Sequence, residues 1–138
     1  MKRYLLLLLL ATGVHAQSSN EFAALVERVQ KSPGAVSADE VGKLLQLSKE
    51  LNRPYTAAIA VKAYFSQNLN ASPALLKAAA ENAALAGDFR TAASRYKQYL
   101  RAVPDSEVAA QLYQLQLDFL GATDDAYRFM DEFGDSLR

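Results

Sequence analysis

The sequence predicts an all-α chain of about seven helices, stacked as antiparallel pairs, and three observations carry that prediction. Residue types recur at a spacing of 34: Gly87 returns as Gly121 (121 − 87 = 34), and Ala58, Ala92 and Ala126 stand one period apart, as do Phe65, Tyr99 and Phe133. A fixed period in this range marks supersecondary units that bury their apolar faces against their neighbours. Helix-stopping and helix-capping residues punctuate apolar stretches of helical periodicity. No alternating strand pattern long enough to count occurs in the sequence.

Residues 1–16 read as an address rather than part of the fold. Lys2 and Arg3 give a positive start, Leu5 to Leu10 with Ala11 an apolar run, and Val14-His15-Ala16 a small-x-small cleavage signal before Gln17. That is the layout of a secretory signal peptide, and the run from Tyr4 to Val14 is shorter than the roughly 20 residues of a spanning helix. An uncleaved N-terminal anchor is the alternative. The expected location is therefore periplasmic or extracellular.

Residues 17–36 are expected to form a polar leader, Gln17–Asn20, and a short amphipathic helix, Glu21–Lys31. Phe22, Leu25, Val26 and Val29 fall there at helical spacing, and Ser32-Pro33-Gly34 ends it. Ser37 then reads as an N-cap with Glu40 completing a capping box, opening a helix to about Leu51 that carries Val41, Leu44 and Leu45. Asn52-Arg53-Pro54 breaks it, and Pro54 suits the first turn of a helix running to about Gln67. Asn70-Ala71-Ser72-Pro73 repeats the punctuation. Ser72 serves as cap for an Ala-rich helix to Ala86, although Asn70-Ala71-Ser72 also matches a glycosylation sequon. Gly87 supplies the left-handed residue that closes this helix, and Asp88 caps the next. After Val103-Pro104-Asp105-Ser106 come helices near Glu107–Leu120 and Thr123–Phe133.

The residues Ala79-Ala80, Gly87-Asp88-Phe89, Ala92, Tyr96 and Pro104 resemble the tetratricopeptide repeat, a helix–turn–helix unit of 34 residues. The segment with Tyr113, Leu117, Gly121, Ala126, Met130 and Phe133 resembles it moderately. The segment with Leu45, Pro54-Tyr55, Ala58 and Phe65 does so more weakly, with Arg53 at the turn glycine. The opening Trp of the family motif is missing from each copy. The resemblance implies a short right-handed solenoid over residues 37–138, with repeats at about 39–72, 73–106 and 107–138. It also implies a concave groove, lined by the first helices, that holds a peptide. Carried over by period, one column of that groove is Lys43, Lys77 and Gln111, a second Leu47, Glu81 and Leu115, and a third Glu50, Ala84 and Asp118. Two lysines one repeat apart would grip a carboxylate, or else are solvated helix-surface residues. The Asn and Arg of the family's carboxylate clamp are not matched, since Asn82 lies beside these columns.

Composition excludes several chemistries. The chain has no Cys, and its single His, His15, lies in the leader. Beyond the leader there is no imidazole or thiol for a zinc site, a Cys–His nucleophile or a Ser–His–Asp triad. No Ca²⁺ loop or Gly-rich phosphate loop occurs, so neither a metal nor a cofactor is expected. Without Lys2 and Arg3 there are 13 basic side chains (15 − 2) against 15 acidic ones, a balance unlike a nucleic-acid surface. Asp124-Asp125 and Asp131-Glu132 are adjacent pairs that diverge by about 100° on a helix, and are read as surface charge.

The aromatics Tyr55, Phe65, Phe89, Tyr96, Tyr99 and Phe133 are expected in the core, and Ala92 and Ala126 where two helices cross. Leu112, Leu115, Phe119, Met130 and Phe133 predict an exposed apolar face, because a solenoid needs a solvated terminal cap. A continuing array, a docked partner or self-association would cover it. The expected function is an exported, non-catalytic module binding a protein or peptide, with no nucleic acid and no membrane span. The alternatives are an N-terminal spacer of a longer envelope protein, or a glycan-active hydrolase pairing Glu81 with Asp118 or Glu50.

Overall fold

Capping side chains fix where the helices begin. In the computed structural model Ser37 Oγ accepts from the Glu40 N–H at 3.2 Å, and Ser72 Oγ from the Leu75 N–H at 3.3 Å. Asp88 Oδ1 accepts from the Thr91 N–H at 3.3 Å, and Asp105 Oδ1 from the Glu107 and Val108 N–H groups at 3.1 and 3.2 Å. Each satisfies backbone donors that the first helical turn leaves unpaired. The structure describes the backbone of residues 2–136 and the side chains of residues 15–134. Among them are seven α-helices and no strand. The chain divides into two units, Met1–Leu69 and Asn70–Arg138.

The first unit holds α1 (Lys2–Lys31), a 3-10 turn (Pro33–Ala35), α2 (Ala38–Leu51) and α3 (Pro54–Gln67), with α1 packed on both α2 and α3. The expected leader Gln17–Asn20 is instead helical and continuous with α1, because it contains no proline or glycine to interrupt the hydrogen-bond ladder. Most of the side chains of the expected signal peptide, residues 1–14, lie outside the described residues. Phe22, Val26 and Val29 form a buried stripe on α1, and the helices it packs on bury Val41, Leu44 and Leu45 in α2 and Ala57, Val61 and Tyr64 in α3. Arg28 Nη1 meets Glu40 Oε2 at 3.0 Å, linking α1 to the start of α2. Asn68 Nδ2 donates to the Pro33 and Tyr64 carbonyls at 3.3 and 2.9 Å, tying the end of α3 to the 3-10 turn.

The second unit holds α4 (Pro73–Leu85), α5 (Phe89–Ala102), α6 (Ser106–Asp118) and α7 (Thr123–Ser136). Consecutive helices pack together along the whole unit. Small side chains let α4 and α5 approach closely: Ala79, Ala80, Ala83, Ala92 and Ala93 are all buried. Ala92 and Ala126, which stand 34 residues apart, are both fully buried. The α4–α5 turn closes on Gly87 at φ 80° and the α6–α7 turn on Gly121 at φ 58°, the left-handed conformation glycine adopts at little cost.

The structural period is not uniform. The caps of α2, α4 and α6 are Ser37, Ser72 and Asp105, giving spacings of 35 (72 − 37) and then 33 (105 − 72). The left-handed residue of the first unit is Asn52, at φ 53°, which stands 35 before Gly87 (87 − 52). Asn is among the few residues with a side chain that tolerate this conformation. The buried counterpart of Ala92 is therefore Ala57, fully buried, whereas Ala58 is only half-buried. The same offset corrects the expectation for Tyr55. Its side chain is 70% exposed, because Pro54 and not Tyr55 occupies the position that Phe89 holds in α5.

The expected C-terminal apolar face is also corrected. Leu112, Leu115 and Phe133 are buried within the second unit, and only Phe119 and Met130 of the five are exposed. Tyr127 of α7 is exposed beside them in sequence, with its ring 6.3 Å from that of Tyr113.

Three substitutions test this packing. Ala92→Leu should overpack the α4–α5 crossing and destabilise by about 1–3 kcal/mol, read by urea denaturation. A Cβ on Gly87 would meet nothing within 4 Å, so Gly87→Ala should show the backbone penalty alone, about 1 kcal/mol. Gly42, inside α2 with equally open surroundings, should behave oppositely, and Gly42→Ala should stabilise by up to about 1 kcal/mol. Equal effects of the two glycine changes would contradict the left-handed assignment.

Candidate functional site

In the second unit α4 and α6 each pack on α5, yet no Cα atom of α4 comes within 8 Å of one in α6 among the described residues. The space between them is a groove of about 520 Å³. Glu81, Ala84 and Leu85 of α4 form one wall, Gln111, Gln114 and Leu115 of α6 the other, with Phe89 and Tyr96 of α5 between them and Phe119 past the end of α6. Phe89 and Phe119 stack with ring centroids 4.3 Å apart and planes inclined by 21°, joining the start of α5 to the end of α6. The rim is unusually apolar for a surface, since Leu85 is 67% and Phe119 59% exposed.

Of the eight residues expected to line a binding groove, three are brought together here: Glu81, Gln111 and Leu115, with Ala84 of the same columns. Lys77 is engaged elsewhere. Its ammonium lies 3.6 Å from Asp105 Oδ2 and 5.8 Å from the centre of the Tyr99 ring, a pairing that ties α4 to the α5–α6 junction. Asp118 is exposed and accepts from Gln114 Nε2, outside the groove lining. Lys43, Leu47 and Glu50 belong to the first unit. Lys43 borders a cleft of about 420 Å³ between α1 and α2, beside Glu21, Asp39 and Glu40. Leu47 is 2% exposed and part of the core, and Glu50 is exposed and accepts from Gln46 Nε2 at 3.1 Å.

The expected columns follow a spacing of 34, whereas the helix starts do not. Measured from their caps, Leu47 and Leu115 correspond to Asn82, not Glu81, and all three are buried. Glu81 corresponds to Gln46 and Gln114, one helical step away, and that step turns its carboxylate into the groove wall. Leu85, Phe89, Gln114 and Phe119 were not expected as groove residues. Phe89, expected in the core, is stacked on Phe119 and half-buried.

The groove's electrostatics are simple. Among its lining residues Glu81 is the one charged side chain, and no ion pair holds it among the described residues. Burial, and then the Glu81 charge, push the Tyr96 phenol up to about 12, so it stays protonated. Next to the groove, Tyr99 donates its hydroxyl to Asp105 Oδ2 at 2.9 Å. The Val108 N–H and then the Tyr99 hydroxyl hold the Asp105 carboxyl below its ordinary value. No protein-family model, characterised protein or solved structure matches the chain.

The caps and phenols give the second unit a defined pH response. Asp105 has its folded value lowered, so its contribution is complete above the ordinary 3.8 and is lost as pH falls through the lowered value. Tyr96 has its folded value raised, so its contribution is complete below 10.0 and is lost as pH rises through about 12. Asp105→Asn keeps a capping oxygen without the titrating charge. It should be less stable than the parent at neutral pH by urea denaturation, and the gap should close below pH 3.8. A gap of the same size in strong acid would contradict this account.

Proposed function

We propose that this chain is an exported, non-catalytic helical-repeat module that binds a segment of another protein or a peptide. The observation that carries the reading is the open groove between α4 and α6, with Leu85 and Phe119 exposed on its rim and Leu115 at its wall. Apolar side chains arranged on a concave surface offer a partner burial at about 25 cal/mol per Å². Large isolated leucines and phenylalanines scattered over a surface would not do this.

The hydrolase alternative finds less support in the same groove. Glycosidic chemistry needs two carboxyl groups roughly 5–10 Å apart facing one substrate. Glu81 is the single carboxylate lining this groove. The reading as an exported module rests on the basic start, apolar run and small-x-small site of residues 1–16.

The test is recovery of a partner from the cell-envelope fraction by the full chain, compared with a Leu85→Ala, Phe119→Ala double variant. Both side chains are mostly exposed, so the variant should keep its helical circular dichroism, losing at most about 1.5 kcal/mol with the aromatic stack. A stoichiometric partner retained by the parent and lost by the variant is the expected outcome. No partner, or equal recovery by both proteins, would overturn the proposal.

A further inference from the structure

Glu81 gives the groove a sign. It is a half-buried carboxylate on α4, surrounded in the lining by Ala84, Leu85, Phe89, Leu115 and Phe119 and by the neutral amides of Gln111 and Gln114. The nearest lysine along its own helix, Lys77, is one turn away and is held by Asp105. No cation lines the groove to neutralise Glu81 or to receive an anion. A carboxylate left without a counter-charge beside apolar surface is poorly solvated, and a cation supplied from outside is its natural complement.

We propose that the occupant of this groove is a protein segment carrying a lysine or arginine next to a large apolar side chain. The cation meets Glu81 while the apolar side chain enters between Leu85, Leu115 and Phe119. This rests on the reading of the groove as a peptide site and gives that site its selectivity. The charge preference is opposite to the one that Lys43 and Lys77 would give if they gripped a carboxylate. The volume of about 520 Å³ accommodates a few side chains rather than a folded domain. Selectivity then comes chiefly from repulsion, since an acidic residue placed against Glu81 would be a like charge in a partly desolvated site.

Selection from a random peptide library displayed on phage, using the full chain as bait, tests both levels. Peptides recovered by the parent should be enriched in Lys or Arg beside Leu, Ile or Phe. Glu81→Lys should invert the charge preference to Asp or Glu, and should weaken a parent-selected synthetic peptide about tenfold or more by fluorescence anisotropy. Should Glu81→Lys lose its helical circular dichroism, Glu81→Gln is the substitute, and it should abolish the cation preference without inverting it. Apolar peptides recovered with no cation enrichment, or an enrichment that neither Glu81 variant alters, would overturn the charge inference. Loss of those same peptides on Phe119→Ala would leave the groove itself standing. Recovery of no peptide by any of the proteins would overturn the inference and the peptide-binding reading together.

Discussion

Helix register, set by a handful of capping side chains, is the constraint on which the rest of this structure depends. A helix turns about 100° per residue, so moving its start by one residue relative to its packing face swings every side chain by that angle. Ser37, Ser72 and Asp105 fix the starts of α2, α4 and α6 through bonds to backbone donors that no other group in the helix can satisfy. The spacings between these caps are unequal, and the buried faces follow the caps rather than a fixed period. Leu47, Asn82 and Leu115 share one position counted from the cap, and all are buried. Asp105 does more than cap α6. It also receives the Tyr99 hydroxyl and lies near the Lys77 ammonium, so one carboxylate joins α4, α5 and α6.

The groove is a consequence of the same register. Counted from the caps, Glu81 and Gln114 are equivalent positions on successive first helices, and they face the same space from opposite walls. At the neighbouring step Asn82 and Leu115 are buried, and Leu115 still borders the groove. Small residues bring α4 close to α5, while the stacked Phe89 and Phe119 span the start of α5 and the end of α6. Two aromatic rings need more room than alanines, so the unit is tight along one seam and open along the other.

Much of the fold was legible because capping chemistry is local. Ser37, Ser72, Pro54, Pro73, Gly87 and Asp88 each act within a turn of their own position, and their roles follow from their side chains alone. Register from one helix pair to the next was not legible, because the sequence offers two alternatives at the places that matter. Ala57-Ala58, Ala79-Ala80 and Ala92-Ala93 are adjacent alanines, and Tyr64-Phe65 are adjacent aromatics. Ala92 has an alanine both 34 and 35 residues before it (Ala58 and Ala57), and Tyr99 an aromatic at both spacings (Phe65 and Tyr64), so those positions do not separate the two periods. The left-handed conformation at Asn52 separates them, and it depends on backbone geometry that Asn adopts without announcing it. Glu81, Gln111 and Leu115 were legible as groove residues, whereas Leu85, Phe89 and Phe119 were not, because they stand at helix ends outside the columns.

The exposed Leu85 and Phe119 complete the physical argument. Fully burying a side chain of this size contributes about 1.5–3 kcal/mol, and nothing in the second unit takes that burial up. Phe119 follows the last residue of α6, where the chain leaves the helix, and its ring is held against Phe89 rather than free to fold inward. Leu85 ends α4 beside a turn that Gly87 closes in the left-handed conformation, which leaves it pointing away from the α4–α5 seam lined by Ala80 and Ala83. Both side chains are therefore kept outside the core by turn geometry. The apolar rim of the groove is thus set by the two turns and the aromatic stack rather than left over from incomplete packing.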